Sequence, residues 1–204
     1  MKKALALIII AATLLSLFSC SEPDRKYNEG EVINAARGLI SDSEKFNDMF
    51  WGAGIPYYED DNYKNGQYYP ADPLYLQKLG ASTVSDIMKM ASEIFSEGYL
   101  ISIYSSTFSA SVGDYGVASF TRYYQGTDVI MVYTDYKPLL TDEIDYYTER
   151  ISVIGSEGER VKVKVPIKVT RGDISQEKEI EVYLIEEENG WRLDSPTYAV
   201  YFAE

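Results

Sequence analysis

Residues 160–193 decide the fold, and they read RVKVKVPIKVTRGDISQEKEIEVYLIEEENGWRL. Five apolar side chains alternate with polar residues in the first part: Val161, Val163, Val165, Ile167 and Val169. This period of two predicts a β-strand with one buried face. Ile180, Val182 and Leu184 predict a second strand in the same way, and Arg171-Gly172-Asp173 forms the tight connection. When both apolar sets face one side, lysines lie opposite glutamates, which favours this register.

A second hairpin is predicted at Asn189-Gly190, because the central residues of a type I′ turn adopt positive φ. This turn joins residues 181–188 to residues 191–201, and we expect a β-bulge near residues 186–188. Pro166 has no amide hydrogen, so its strand should lie at a sheet edge or carry a bulge there. Earlier strands are expected at 118–124, 129–136 and 144–154.

The N-terminal third of the chain has a helical pattern instead. Apolar residues recur at three- and four-residue steps: Val32, Ile33, Ala36, Leu39, Ile40, Phe46 and Phe50. They predict an amphipathic helix with a break near Gly38 and Ser41, ended by the glycines and proline of residues 52–56. A capped helix is expected from Ser82. Residues 99–104 form either a further helical turn, which we favour, or a short buried strand.

Helices first and an antiparallel meander afterwards predict an α+β fold. We expect N-terminal helices packed on one face of a curved antiparallel sheet of about five to six strands. The globular domain should span residues 31–204 as a single unit.

The only cysteine, Cys20, follows a positive Met1-Lys2-Lys3 and an apolar run that is too short to span a bilayer. Leu17-Phe18-Ser19-Cys20 resembles the bacterial lipobox. The resemblance implies a signal peptide at 1–19 and diacylglycerol and palmitate on Cys20. The polar residues that follow, with proline and glycine among them, predict a flexible tether over 20–30. It places the protein on the extracytoplasmic side of a bacterial cell membrane, held there by the lipid.

The charge of the chain excludes some partners. There are 19 basic and 32 acidic residues, a net charge of −13, and loss of Lys2 and Lys3 with the leader would make it −15. Such a surface repels phosphates and anionic headgroups, so no nucleic-acid partner is expected.

The composition also restricts catalysis. The chain has no histidine, and lipid on Cys20 would occupy the only thiol, so triad chemistry and His-ligated zinc are excluded. A glycosidase-like carboxylate pair among Glu59, Asp60, Asp61 and Asp72 is the remaining enzymatic hypothesis. The adjacent acids at 59–61 lack the alternating spacing of a calcium loop. We expect no cofactor, no metal site and no catalytic residue.

A set of aromatic residues is the candidate binding surface, because tyrosine offers rigid area and a hydroxyl group at recognition surfaces. Its members are Trp51, Tyr57, Tyr58, Tyr63, Tyr68, Tyr69 and Tyr75. The alternative is that these side chains pack a loop against the sheet.

Two family resemblances extend these predictions. Residues 182–186 followed by Asn189-Gly190-Trp191-Arg192-Leu193-Asp194 resemble the last hairpin of nuclear-transport-factor-2-like and cystatin-like domains. The order of a helix, Gly54-Ile55-Pro56, an acidic patch, residues 69–72, a capped helix and strands resembles small clostridial-type envelope lipoproteins and the inhibitors of peptidoglycan DL-endopeptidases. These resemblances imply a non-catalytic protein-binding or inhibitory module, whose partner would be an envelope protein such as a basic cell-wall hydrolase. A cone-shaped domain that binds a small molecule is the alternative.

Overall fold

The computed structural model describes residues 27–62, 64–109 and 120–198. The leader, Cys20 and most of the tether lie outside these residues, as do Tyr63 and the first two residues of the strand expected at 118–124. Within the described residues the protein is α+β with a C-terminal meander, as predicted, but its strands form two antiparallel sheets instead of one.

The first helix, α1, spans Glu29–Trp51 and buries one apolar stripe. The side chain of Asn28 caps it by accepting hydrogen bonds from the amides of Gly30 and Glu31. The expected break near Gly38 and Ser41 was wrong, because an exposed glycine costs a helix only about 1 kcal/mol and the buried stripe continues on both sides. The helix also begins two residues before the predicted domain boundary.

Three shorter helices and one short strand follow α1. Their bounds are β1 at Tyr68–Pro70, α2 at Pro73–Leu79, α3 at Val84–Ser92 and α4 at Glu97–Thr107. The capping box of Thr83 and Asp86 begins α3, as Ser/Thr capping predicted. Residues 99–104 are helical, as predicted, but they belong to the separate helix α4, which Ser96 caps.

The other strands are β2 at Tyr123–Gln125, β3 at Ile130–Tyr133, β4 at Glu143–Tyr146, β5 at Ser152–Glu157, β6 at Arg160–Arg171, β7 at Ile174–Glu187 and β8 at Gly190–Leu193. A five-stranded sheet has the order β4-β6-β7-β8, and β5 pairs with β6 beyond the end of β4. The strands β1, β3 and β2 form a separate three-stranded sheet. Of the early strands that were predicted, those at 118–124 and 129–136 correspond to β2 and β3 of this separate sheet, whereas the one at 144–154 belongs to the five-stranded sheet.

The predicted hairpin of β6 and β7 is confirmed in register. Val163 lies opposite Val182 and Val165 opposite Ile180, and all four side chains are buried. On the other face, Lys162 Nζ lies 2.9 Å from Glu181 Oε2 and Lys164 Nζ lies 3.1 Å from Glu179 Oε2. These pairs are diagonal rather than directly opposite, because Lys164 lies opposite Glu181 on the backbone.

Pro166 does not mark a sheet edge or a bulge in β6. The strand is internal, with β7 on one side and β4 and β5 on the other. A 3₁₀ turn at Thr148–Arg150 separates β4 from β5, and Tyr147 donates its amide to the Pro166 carbonyl at 2.9 Å. Pro166 lacks an amide hydrogen, and it lies where the neighbouring strand is interrupted by this turn. For the same reason the expected strand at 144–154 is two strands.

The second hairpin has a shifted turn. Glu187 lies opposite Gly190, so the two turn residues are Glu188 and Asn189, and Gly190 has a φ of 103°. Asn189 does not adopt the positive φ that a type I′ turn with Asn189-Gly190 at its centre would require, and the same is true of every non-glycine residue among those described. The expected bulge at 186–188 is absent from this register, because Leu184 and Leu193 are direct partners and both face the core.

A shared core joins α1 to the five-stranded sheet. It includes Ile40, Phe46 and Phe50 of α1 with Val163 and Leu184 of the sheet. Phe46 also packs edge-on against Phe95, with ring centroids 6.2 Å apart. Among the described residues, no helix is both long enough and apolar enough to cross a bilayer.

Candidate functional site

The aromatic residues predicted as a binding surface lie in different environments. Tyr57 and Tyr58 are 39% and 44% exposed. Tyr68 and Tyr69 are each 9% exposed, and Tyr75 packs partly buried against the core. The described members of the set therefore do not form one exposed surface. Among them, only Tyr57 and Tyr58 are exposed.

Trp51 belongs to the core rather than to a surface. It is 7% exposed at the end of α1, edge-on to Phe50 at 5.6 Å and 4.4 Å from the ring of Tyr198. Its backbone carbonyl accepts hydrogen bonds from the amides of Leu139 and Leu140, both at 2.8 Å. Trp51 thus helps to hold the loop before β4 against the end of α1.

The tyrosines of β1 have structural partners. Tyr68 Oη donates to the carbonyl of Thr121 at 2.7 Å, and its ring lies 4.8 Å from that of Tyr124. Burial raises the pKa of Tyr68 above its ordinary value. Tyr69 stacks on Tyr57 at 5.9 Å and therefore supports the exposed ring of Tyr57.

The carboxylates considered for catalysis or calcium have local roles. Asp72 caps α2 by accepting a hydrogen bond from the Leu74 amide at 2.8 Å. Asp60 accepts one from the Asn62 amide at 2.9 Å, and Glu59 is exposed. Within the described ranges, no group of three or more acidic, histidine or cysteine residues could hold a metal ion.

A groove of about 560 Å³ lies beside the C-terminal half of α1. One wall is α1 itself, and the other is formed by residues 138–142 and the start of β4. The lining residues are Glu44, Asn47, Asp48, Ala53, Pro138, Leu140, Thr141, Asp142, Glu143, Ile144 and Tyr146. The groove thus combines four carboxylates with aliphatic walls.

A buried arginine stabilises the end of α1 that borders the groove. Arg122 is 3% exposed, and its Nη2 donates to the Gly52 carbonyl at 2.7 Å. Its guanidinium carbon lies 3.7 Å from the centroid of the Tyr136 ring. A cation at a helix C-terminus interacts favourably with the helix dipole. A side chain at Gly54 would collide with this guanidinium, and Gly54 has a φ of 90°.

Asn47 is one of the residues that line the groove and is 2% exposed. Its Nδ2 donates to Thr197 Oγ1 at 2.7 Å and contacts Tyr146 Oη at 3.4 Å. Ser43 Oγ donates to the Ile40 carbonyl and lies 3.0 Å from Thr197 Oγ1. The orientation of the amide follows from this network, because Thr197 Oγ1 donates to Ser43 and accepts from Asn47.

The remaining polar atom of this amide lacks a partner. Asn47 Oδ1 is buried and accepts no hydrogen bond from any described residue. Tyr146 Oη donates to the Thr197 carbonyl at 3.1 Å, so its proton is already used. Burial raises the pKa of Tyr146 to about 12, so this hydroxyl remains protonated at neutral pH. A buried acceptor without a donor is costly unless a ligand or water supplies one.

The carboxylates of the groove are not equivalent. Asp142 is held in a bidentate pair by Arg171, with Nε–Oδ1 and Nη2–Oδ2 distances of 2.6 and 2.8 Å. Asp48 accepts a hydrogen bond from the Ala53 amide at 2.9 Å. Partial burial and the nearby charge of Asp145 raise the pKa of Glu44 above its ordinary value. The ionised form of Glu44 is therefore less favoured than that of an isolated glutamate.

Our sequence reasoning did not identify the groove. One signal was available, because Ser43 and Asn47 are polar residues on the buried stripe of α1. A polar residue at a core position marks either a structural network or a site, and Asn47 belongs to a network with Thr197 and Tyr146. The sheet face required by the small-molecule hypothesis is occupied by buried side chains packed in the shared core.

Comparison with protein-family models finds no match for this chain, and comparison with curated proteins finds no significant similarity.

Proposed function

We propose that this protein is a non-catalytic lipoprotein of the bacterial cell envelope, anchored to the extracytoplasmic side of the membrane by lipid on Cys20. Its domain binds a protein partner and acts as a binding or inhibitory module. A basic envelope protein, such as a cell-wall hydrolase, is the kind of partner that its charge favours.

The acidic groove is the observation that carries this proposal. Four carboxylates line a groove with aliphatic walls, on a chain with a net charge of −13. Such a surface attracts basic proteins by long-range electrostatics and offers apolar area for short-range contact.

Two exposed tyrosines add a second contact area. Tyr57 and Tyr58 precede the acidic residues 59–61, and Tyr69 supports the ring of Tyr57 by stacking. Because this stacking restricts the Tyr57 ring before binding, the Tyr57 side chain loses less conformational entropy when a partner contacts it. We therefore place the aromatic part of the interface at Tyr57 and Tyr58.

The test is capture of a purified basic cell-wall hydrolase of the host by the immobilised full chain. Replacing Tyr57 and Tyr58 with alanine should weaken capture by about tenfold or more, as expected for aromatic residues that dominate an interface. Phe120→Ala is the matched control, because Phe120 is an exposed aromatic residue that stacks on Tyr133 and not on Tyr69. Equal capture by the double variant and the wild type would contradict the tyrosine interface.

The lipid anchor is tested separately. Cys20→Ser should move the chain from the membrane fraction to the soluble fraction of the host, because no acyl chain can then be attached. Retention of this variant in washed membranes would show that another segment provides the anchor.

A further inference from the structure

The long strand β7 is paired along only part of one side. On the side of β6 it is paired over residues 174–185. On the opposite side β8 pairs with residues 184–187 alone, and the Asp194 amide bonds the carbonyl of Tyr183. Among the described residues, none pairs with the backbone of residues 174–182 on this side. We call residues 174–182 the open edge of β7.

The backbone of the open edge directs donors and acceptors away from β6. Tyr183 shows the direction, because its carbonyl accepts from the Asp194 amide at 2.8 Å and its amide donates to Ser195 Oγ at 2.9 Å. Backbone direction alternates along a strand, so the residues at alternate positions before Tyr183 point the same way. These residues are Ser175, Glu177, Glu179 and Glu181, and all of them are exposed. The open edge thus offers the backbone groups that an added strand requires.

The outer face of the sheet carries charges that alternate in sign from strand to strand. Asp145 Oδ2 of β4 lies 3.6 Å from Lys168 Nζ of β6. Lysines of β6 in turn pair with Glu179 and Glu181 of β7, at 3.1 and 2.9 Å. A strand added beside β7 would therefore face these two glutamates and Glu177. Opposite charges on neighbouring strands stabilise the pairing, so the added strand should carry basic residues at alternate positions.

The same charges argue against a second copy of this chain as the occupant. If two open edges paired antiparallel about Lys178, Glu177 of one copy would lie opposite Glu179 of the other. If they paired about Glu179, the two Glu179 residues would lie opposite each other. Like charges directly opposite destabilise a pair of strands, and the net charge of −13 adds repulsion between copies. The open edge is therefore protected against self-association but accepts a basic strand.

We propose that the open edge of β7 binds an extended segment of a partner polypeptide as an added antiparallel strand, with lysine or arginine side chains opposite Glu177, Glu179 and Glu181. The direction follows the other pairings of this sheet, which are all antiparallel among the described strands. Backbone hydrogen bonds supply affinity for an extended segment, and the glutamates select a basic one. This proposal rests on the proposed function, for which it names a contact surface and the pattern that a basic partner must present.

The test uses the full chain in detergent and a fluorescently labelled peptide of alternating lysine and threonine. In the proposed pairing the backbone amides of the lysines bond to β7, and those of the threonines point away. Methylation of the lysine backbone nitrogens should weaken binding by about tenfold or more, whereas methylation of the threonine backbone nitrogens should change it by less than about twofold. The charge of the peptide stays the same, so equal binding by the two methylated peptides would overturn the proposal and indicate diffuse charge attraction.

Substitutions in β7 separate charge from backbone pairing. Glu177→Gln removes a charge, and Glu177→Pro also removes the backbone donor on the open side while the pairing with β6 is kept. We expect the first to weaken binding of the unmethylated peptide by about threefold and the second by about tenfold. Glu188→Gln, at the exposed turn before β8, is the control for charge and should change the affinity by less than about twofold. Equal affinities of the two Glu177 variants would overturn the proposal.

Hydrogen exchange locates the peptide on the open edge. The amides of Ser175, Glu177, Glu179 and Glu181 should exchange fast in the unbound protein, and saturating peptide should slow them by about tenfold or more. Slow exchange in dilute protein without peptide would show that another segment of the chain occupies the edge. Exchange that slows as the protein concentration rises would show that a second copy does so. Either result would overturn the proposal.

The two proposals fail separately. If the peptide leaves exchange at the open edge unchanged while hydrolase capture still depends on Tyr57 and Tyr58, the strand site falls and the binding function stands. If the hydrolase is not captured while the peptide slows exchange at the open edge, the strand site stands and that class of partner is wrong.

Discussion

Asn47 Nδ2 donates a hydrogen bond to Thr197 Oγ1 at 2.7 Å, and this contact joins the first helix to the segment that follows the last strand. It fixes which end of the Asn47 amide is engaged and which end lacks a partner. The contact also connects residues 150 positions apart, so it forms only when the complete fold is present.

Thr197→Val should therefore destabilise the protein by about 1–3 kcal/mol, because the buried Asn47 amide and the buried Ser43 hydroxyl each lose a hydrogen-bond partner. Urea unfolding at neutral pH measures this change. Thr170→Val is the control, because the hydroxyl of Thr170 bonds that of Ser175 on an exposed face. Equal effects of the two substitutions would contradict a special role for the buried network.

Glu44 should make stability depend on pH. Its folded-state pKa is raised by partial burial and by Asp145, so its stabilising contribution is present below the ordinary pKa of glutamate and is lost as the pH rises through the raised value. Glu44→Gln should thus be more stable than the wild type at neutral pH, with the difference shrinking toward acid pH. Urea unfolding at several pH values checks this.

Asp42→Asn is the control for Glu44→Gln, since it removes an acid from the same helix outside the groove. If the advantage of Glu44→Gln stayed constant across the acid range, the raised pKa would be wrong.

Arg122 should be a major contributor to stability. Arg122→Ala removes the hydrogen bond to the Gly52 carbonyl, the stacking on Tyr136 and the cation at the end of α1, so we expect a loss of about 2–4 kcal/mol. Thermal and urea unfolding measure this loss. Arg122→Lys keeps the charge without the planar stacking group and should recover only part of the stability. Full recovery would show that charge alone matters.

Asp194 should hold the last hairpin to α4. It accepts a hydrogen bond from Ser96 Oγ, and its Oδ2 lies 2.7 Å from Arg160 Nε. Asp194→Ala should destabilise the protein by about 1–3 kcal/mol, because the partly buried Arg160 and Ser96 both lose an acceptor. Asp173→Ala, at an exposed turn, is the matched control. Unfolding followed by tryptophan fluorescence compares the two variants, and similar losses would argue against this role.

The Asp194 contacts also give the hairpin motif a structural meaning. The sequence from Asn189 to Asp194 suggested a resemblance to known hairpins, and in this fold the aspartate serves as an acceptor between a strand and a helix. This role explains the motif without any catalytic or ligand-binding function for Asp194.

Local patterns predicted much of the fold. The alternation in β6 and β7 fixed the register of the long hairpin, and the stripe from Val32 to Phe50 predicted α1. The helix α2 was missed although Asp72, Pro73 and Gly80 are cap, first-turn and C-cap signals. The strand β1 could not be predicted, because three residues have no period and this strand depends on pairing with β3.

The sequence by itself determined the α+β class, the long hairpin and the strong negative charge, because these follow from local periodicity and composition. It predicted the lipid anchor at Cys20, which lies outside the described residues. Only the tertiary structure decided which tyrosines are exposed, why Pro166 is tolerated inside a sheet and where the acidic groove lies. These features depend on contacts between distant residues such as Asn47 and Thr197, and no local pattern encodes which atom such a contact leaves without a partner.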